Sequence, residues 1–572
     1  MRHLLILSVA MTLPFLGCGG GKSTKKETTK SSGTKKTNVS TSKSKPKPKV
    51  RRKRFRFKSS SRFQKFQKQY DKARKKLPDG GIDSEPDSPG KSAAGRAMSE
   101  ELAVERLGSA ILDSVELRST LVIWLVDASK SAENLRERTL AAARSFYSKT
   151  AAENSKKKLK NELLSAVGYY SDEVNWLTDA PIGEFKSVGE SFDKVVPKTS
   201  GKENTFAAVT SAIDKFKSFS KRRFETMVVV ISDEAGDDAG NVDQVVQLAK
   251  KHSVLVYTIG VPAVFGRKAA LVQSVEAPFR APAKRRQRKR RRRRRMPRGP
   301  QNVVQGPESR HREFIQMPLW GNRAGVLIDA GFGPFALERL CRESGGRYIV
   351  VRRESFENAF PAAVTDSWPA ANALVPDSNK MRLYAPNYVS EGRYQKMLAE
   401  NKARLALHKA AKMPITNLPE PLTSFAKARN EAEFNRRLTQ AQQLPAIVQP
   451  QIERLYSALR LGESDRAKLK SPRWQAAFDL AIGRVLAMKV RIDGYNSLLA
   501  AMKRGKQFEK PGSTTWILEG SDKIAGSSIL SKTAGRARKY LQGVIDNHPN
   551  TPWAEMARLE LETPIGWKWT EQ

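Results

Sequence analysis

Cysteine is almost missing from this chain of 572 residues, which has only Cys18 and Cys341. Two thiols cannot build a disulfide framework or a cysteine-rich zinc site, both of which need several cysteines at short spacings. Histidine is scarce too. The five (His3, His252, His311, His408 and His548) lie far apart and form no H-E-x-x-H or H-x-H cluster. Metal–histidine hydrolase chemistry is therefore not expected. The sequence also lacks G-x-S-x-G, a Ser/His/Asp set and paired catalytic carboxylates outside the turns described below, so it does not point to an enzyme. No apolar run beyond residue 16 reaches the roughly 18 residues of a membrane-spanning helix. Acid is missing locally. Residues 19–76 hold 23 Lys/Arg against Glu27 and Asp71, and residues 284–298 hold 12 with no acid. The net charge is +45, and these two tracts carry 33 of it. The remainder of the chain is unexceptional, so the composition is that of a globular protein with two polycationic attachments.

The first tract follows an address. Met1-Arg2-His3 is a short basic start, and Leu4 to Leu16 is an apolar stretch of export-signal length. It ends in Phe15-Leu16-Gly17-Cys18, which resembles a bacterial lipobox, in which a small residue precedes the lipidated cysteine. Phe15 and Leu16 depart from the usual Leu and small residue. The expectation is a lipoprotein-type signal peptide over 1–17, a lipid on Cys18, and a disordered basic tether over 18–97, which has little to bury. Gly17 through Gly21-Lys22-Ser23 imitates a phosphate-binding loop. Only three residues separate its glycines instead of four, and no strand or helix flanks it, so no nucleotide site is expected.

The pattern changes near Ser99, where a helical repeat begins. Leu121–Val126 is a continuous apolar run of strand length, as in a strand buried on both faces of a parallel sheet. Similar runs occur at Met227–Ile231 and Val254–Ile259, and weaker ones at Leu163–Tyr170, Glu173–Thr178 and Arg347–Val351. Between them lie helical repeats such as Phe206, Val209, Ile213 and Phe216. Alternating strands and helices predict an α/β fold with a doubly wound, mostly parallel, Rossmann-like sheet. In such sheets the strands' carboxyl ends carry the ligands. The first run leads into Asp127-Ala128-Ser129-Lys130-Ser131 and the Met227–Ile231 run into Ser232-Asp233-Glu234. Carboxylates and hydroxyls are hard donors, suited to Mg²⁺, Ca²⁺ or Mn²⁺.

These residues resemble a von Willebrand factor type A (vWA) domain with a metal-ion-dependent adhesion site, over about 118–355. The resemblance implies that Asp127, Ser129, Ser131 and Asp233 hold a divalent cation, Mg²⁺ or Ca²⁺. It also implies that an acidic residue of an unknown protein partner completes the metal's shell. The family's third loop reads roughly G-x-T-x-T. Here Gly201-Lys202-Glu203-Asn204-Thr205 puts Glu203 at the first threonine and Thr205 at the second. Two readings follow: Glu203 points away and Thr205 or water serves, or Glu203 binds and the metal is mainly structural. Glu234, Asp237 and Asp238 add negative charge nearby.

The α/β domain is expected over 98–360 with a basic insertion at about 263–324. The insertion holds Arg288, Lys289, Arg290, Arg291, Arg292, Arg293, Arg294 and Arg295, a solvated run suited to an anionic polymer. Aromatics for base stacking are sparse there, so specific nucleic-acid recognition is not expected. Residues 361–572 read as all-α, with a helix pair near 533–562 similar to one tetratricopeptide unit, Thr551 capping its second helix. Trp567 and Trp569 should pack against that unit. Signal, tether and domain together resemble a planctomycete-like protein of the bacterial cell envelope, attached to a membrane through its lipid and serving to bind or scaffold other macromolecules. A polyanion-binding envelope protein with a structural or degenerate metal site is the alternative.

Overall fold

Every residue of Thr120–Asp127 (β1) is buried, as the unbroken apolar run requires. The computed structural model describes residues 98–198, 202–221, 224–266, 270–272, 301–303, 306–320, 328–352, 376, 378–413, 421–505 and 507–572. All belong to one of the chain's two compact units, Ala73–Gln572; the other, Met1–Lys72, lies outside them.

The first elements are a helix, Glu100–Leu117 (α1), then β1 and a long helix, Glu133–Lys156 (α2). Strands Leu163–Tyr170 (β2) and Val174–Trp176 (β3) precede the helices Phe185–Phe192 (α3) and Thr205–Lys221 (α4). Strand Glu225–Ile231 (β4), helix Val242–His252 (α5) and strand Val254–Gly260 (β5) follow. A short antiparallel pair, Ala270–Val272 (β6) with Gln301–Val303 (β7), precedes helix Phe335–Ser344 (α6) and strand Tyr348–Val350 (β8). The central sheet has the order β3-β2-β1-β4-β5-β8, with β3 antiparallel and the rest parallel.

Side chains alternate across a strand, so β1 feeds two cores. Leu121, Ile123 and Leu125 pack with α4, α5 and α6; Val122, Trp124 and Val126 pack with α1, α2 and α3. Each such side chain contributes roughly 1.5–3 kcal/mol by leaving water. Trp124 also donates from its indole nitrogen to the Tyr147 hydroxyl at 2.9 Å, so this large ring is buried without an orphaned polar atom. Ser99 caps α1 by accepting from the Leu102 amide at 3.3 Å, where the sequence placed the helix start.

The rest is mostly helical. Ser378–Met381 (α7), Glu391–Ala399 (α8), Lys402–Lys412 (α9), Glu431–Ala441 (α10) and Gln443–Arg460 (α11) lead to Pro472–Met502 (α12), a helix of 31 residues. Most of α12 is buried, because α11, Ser528–Asn547 (α13) and Pro552–Leu561 (α14) surround it. The pair α13–α14 is the expected helix–turn–helix: Thr551 accepts from the Ala554 amide at 3.3 Å, and Pro552 opens the first turn.

Two features depart from the sequence reading. The region is not all-α: Ser424–Ala426 (β9), Thr515–Ser521 (β10) and Gly566–Glu571 (β11) form an antiparallel sheet in the order β11-β10-β9. Its inner face, with Phe425, Trp516, Leu518 and Trp567, covers the end of α12 at Tyr495, Leu499 and Met502. The closing tryptophans therefore pack on this sheet and α12. Second, the flanks of the insertion, although irregular in backbone, are packed. Phe265, Ile315, Met317, Leu319, Ile328 and Phe332 are buried in the same core as α12. The Arg288–Arg295 run lies outside the described residues.

Candidate metal centre

The carboxyl ends of β1 and β4 are adjacent in the sheet, so their following turns meet. Asp127 closes β1 and is fully buried. One of its carboxylate oxygens accepts from the Ser129 amide at 2.8 Å, the other from the Ser232 hydroxyl at 2.8 Å. The Ser129 and Ser131 hydroxyls stand 3.1 Å apart, and Ser131 donates to Asp233 at 3.3 Å. The D-x-S-x-S turn and the distal aspartate are thus brought together as the sequence expects.

Glu203 joins them. Oxygens of Asp127, Glu203 and Asp233 lie within 4.8 Å of one another. The Thr205 hydroxyl pairs with that of Tyr170 at 3.2 Å at the start of α4. Asp237 and Asp238, expected as added charge, are used by the backbone. Asp237 accepts from the Glu203 amide at 3.2 Å while its own amide donates to the Glu203 carbonyl at 2.8 Å. Asp238 accepts from the Phe206 and Ala207 amides at 3.0 and 2.7 Å, neutralising free donors at the amino end of α4. The chain reaches this position by a left-handed turn at Gly236, φ 82°, where a β-carbon would lie 2.6 Å from the Thr205 hydroxyl.

Three carboxylates so close cannot all stay ionised without compensation. Burial, then the charge of Asp127 and the neighbouring Glu234, pushes the Glu203 carboxyl up to about 11. Burial and Asp127 push Asp233 up to about 8, and burial raises Asp127 itself. One Glu203 oxygen, Oε2, is buried without a hydrogen-bond partner. This donor set fits a hard cation: it is oxygen-only and anionic, and one of its carboxylate oxygens has no hydrogen-bond partner. Asp127, Glu203 and Asp233 would hold it, with Ser129 and Ser131 as neutral donors. The cation would supply the positive charge that lets all three acids ionise.

One residue of this centre is not picked out by the sequence reading. Arg136, in the first turn of α2, is buried and donates to the carbonyls of Asp127 and Ser129 at 2.9 and 2.7 Å. It fixes the D-x-S-x-S turn from beneath. The available signal was its place: a cation in a helix's first turn opposes the helix dipole and calls for a local reason. Cys18, like the arginine run, lies outside the described residues.

Residues 122–278 match the family model of the von Willebrand factor type A domain. Among solved structures, the chain is similar to the conserved hypothetical protein BatB from Bacteroides thetaiotaomicron, with 13% identity over 44% of this chain and 97% of that one and a TM-score of 0.26. It is also similar to an aerotolerance-related membrane protein from Bacteroides fragilis, with 14% identity over 44% and 98% of the two chains and a TM-score of 0.24. No curated protein matches the chain. The parallel sheet, the turn at its carboxyl end and the family match agree: residues 122–278 are a von Willebrand factor type A domain.

Proposed function

We propose that the chain is a binding or scaffolding protein of the bacterial cell envelope whose vWA domain captures a protein partner in a cation-dependent way. The observation that carries this reading is the convergence of Asp127, Glu203 and Asp233 at the ends of two sheet strands. Hard oxygen donors gathered at strand ends suit a bridging divalent cation. The partner would supply an acidic residue, since a carboxylate is the natural further ligand for a hard cation. The helical region offers a second surface. Lipidation of Cys18 would hold the protein at a membrane, with the basic tether between anchor and domain.

Capture from an envelope extract, with and without EDTA, tests the reading. Partner retention that is lost with chelator and in Asp127→Ala supports it; retention indifferent to both sinks it. The twelve cations of 284–298 favour a second reading, in which an anionic polysaccharide, nucleic acid or lipid headgroup is the ligand. Binding of that kind falls steeply with salt and ignores chelator. Mass spectrometry of the mature amino terminus tests the anchor: an unmodified Cys18 rules it out.

A further inference from the structure

We infer that Glu203 makes this centre selective for a large hard cation of the Ca²⁺ class over Mg²⁺. The inference rests on the cation-binding reading above and names the ion that reading leaves open.

Glu203 is held in place as part of the centre. Its backbone is tied to Asp237 at both amide and carbonyl, and the helix that starts two residues later has its first amides taken by Asp238. The segment can therefore move only by breaking several hydrogen bonds at once. Its Oε2 is buried and has no protein partner. The carboxyl group also meets Glu234, so it is this one oxygen that the described residues leave unsatisfied.

The number of anionic donors then matters. Mg²⁺ is bound through one or two carboxylates and keeps several waters, because it dehydrates reluctantly and demands a near-ideal octahedron. Ca²⁺ accepts six to eight oxygens in flexible geometry, including carboxylates that bind through both oxygens. Asp127, Glu203 and Asp233 each offer a carboxylate oxygen to the centre, with the Ser129 and Ser131 hydroxyls beside them. Three anionic ligands exceed the one or two carboxylates through which Mg²⁺ is bound, and they suit Ca²⁺.

The hydroxyls of Ser129 and Ser131 stand 3.1 Å apart and Ser131 donates to Asp233 at 3.3 Å, so two neutral oxygens lie beside the acids in a turn that Arg136 holds at two carbonyls.

The test is calorimetric titration of the full chain with CaCl₂ and with MgCl₂, for wild type, Glu203→Gln and Asp127→Ala. Glu203→Gln keeps the length and one oxygen donor but removes the charge, and it leaves the backbone ties to Asp237 intact. Wild type should bind Ca²⁺ at least about tenfold more tightly than Mg²⁺. Glu203→Gln should lose at least about tenfold in Ca²⁺ affinity and bring the two ions to near parity. Asp127→Ala should bind neither. Equal or tighter Mg²⁺ binding by wild type overturns the inference and leaves the cation reading standing. An unchanged Ca²⁺/Mg²⁺ ratio in Glu203→Gln, with circular dichroism showing an intact fold, overturns it as well. Wild type that binds neither ion sinks the cation reading itself.

Discussion

Asp238 accepts from the Ala207 amide at 2.7 Å, so a residue on the turn after β4 caps a helix that begins after the loop containing Glu203. The cap comes from a distant part of the chain, and it couples two sides of the metal centre. Asp238→Ala should cost roughly 1–2 kcal/mol, the range for losing a strong helix cap. It should also lower cation affinity, because the segment bearing Glu203 loses one of its fixed points. Urea unfolding with and without CaCl₂ reads both effects. A variant with wild-type cation affinity would show that Asp237 alone holds the loop.

A buried cation ties the insertion to the helical region. Arg473, on α12, donates to Glu313 at 2.6 Å and to Glu308 at 3.1 Å, and all three are nearly inaccessible to water. Tyr394 adds a hydrogen bond to Glu313 at 3.0 Å. Removing one partner of a buried ionic set leaves uncompensated charge. Arg473→Met should therefore destabilise the protein by about 3–5 kcal/mol. Arg473→Met combined with Glu308→Gln and Glu313→Gln should recover part of that loss. No recovery in chemical denaturation would mean that packing of the guanidinium over Trp553, 5.2 Å from the ring centre, is the larger effect.

The parallel sheet was legible because burial on both faces leaves an unmistakable mark, six consecutive apolar residues from Leu121 to Val126. The donors Asp127, Ser129, Ser131 and Asp233 were legible because strand ends fix their location. Glu203 was visible as a departure, but only the fold could place its side chain beside Asp127 and Asp233. Asp237 and Asp238 were legible only as added charge, since sequence shows a carboxylate's sign and not the amides it accepts from. The sheet of β9, β10 and β11 was missed although Trp567 and Trp569 alternate with Lys568 at strand period. Short strands within a helical stretch give too few residues for periodicity to decide. The packed flanks of the insertion were hidden beside the run from Arg288 to Arg295.

His408, on α9, is buried, and its Nδ1 has no hydrogen-bond partner. Burial, with Lys412 and His311 nearby, lowers its imidazole to about 4. A group whose folded pKa is depressed contributes stability that is present above its unfolded pKa, near 6.5, and lost as pH falls towards 4. This side chain should therefore account for a loss of at most about 3 kcal/mol between pH 6.5 and 4. His408→Phe keeps a ring of similar size beside Tyr394 and carries no proton. Its unfolding free energy should fall less over that window than the wild type's. Parallel curves for the two proteins would place the acid sensitivity in other groups.

The insertion joins a run of 12 Lys/Arg over 284–298 to packed flanks, and the two should separate on mutation. Phe265 is buried at the near side of the insertion, with its ring edge-on to Trp553 at 4.9 Å and to Phe314 at 5.1 Å. Phe265→Ala should cost about 3–5 kcal/mol, because the cavity opens where three aromatic side chains meet. Deleting 284–298 removes 12 Lys/Arg and no acid. Adjacent like charges repel and gain nothing from a core, so the deletion should leave the unfolding free energy within about half a kcal/mol of wild type. Its effect should appear in binding to immobilised heparin, where each cation lost removes a released counterion and flattens the dependence on salt. Phe265→Ala, measured below its unfolding transition, should elute at the wild-type salt concentration. If the deletion instead lowers the unfolding midpoint as far as Phe265→Ala does, the arginine run is itself part of the packed structure. Its role would then be ion pairing within the protein and not attraction of a polyanion.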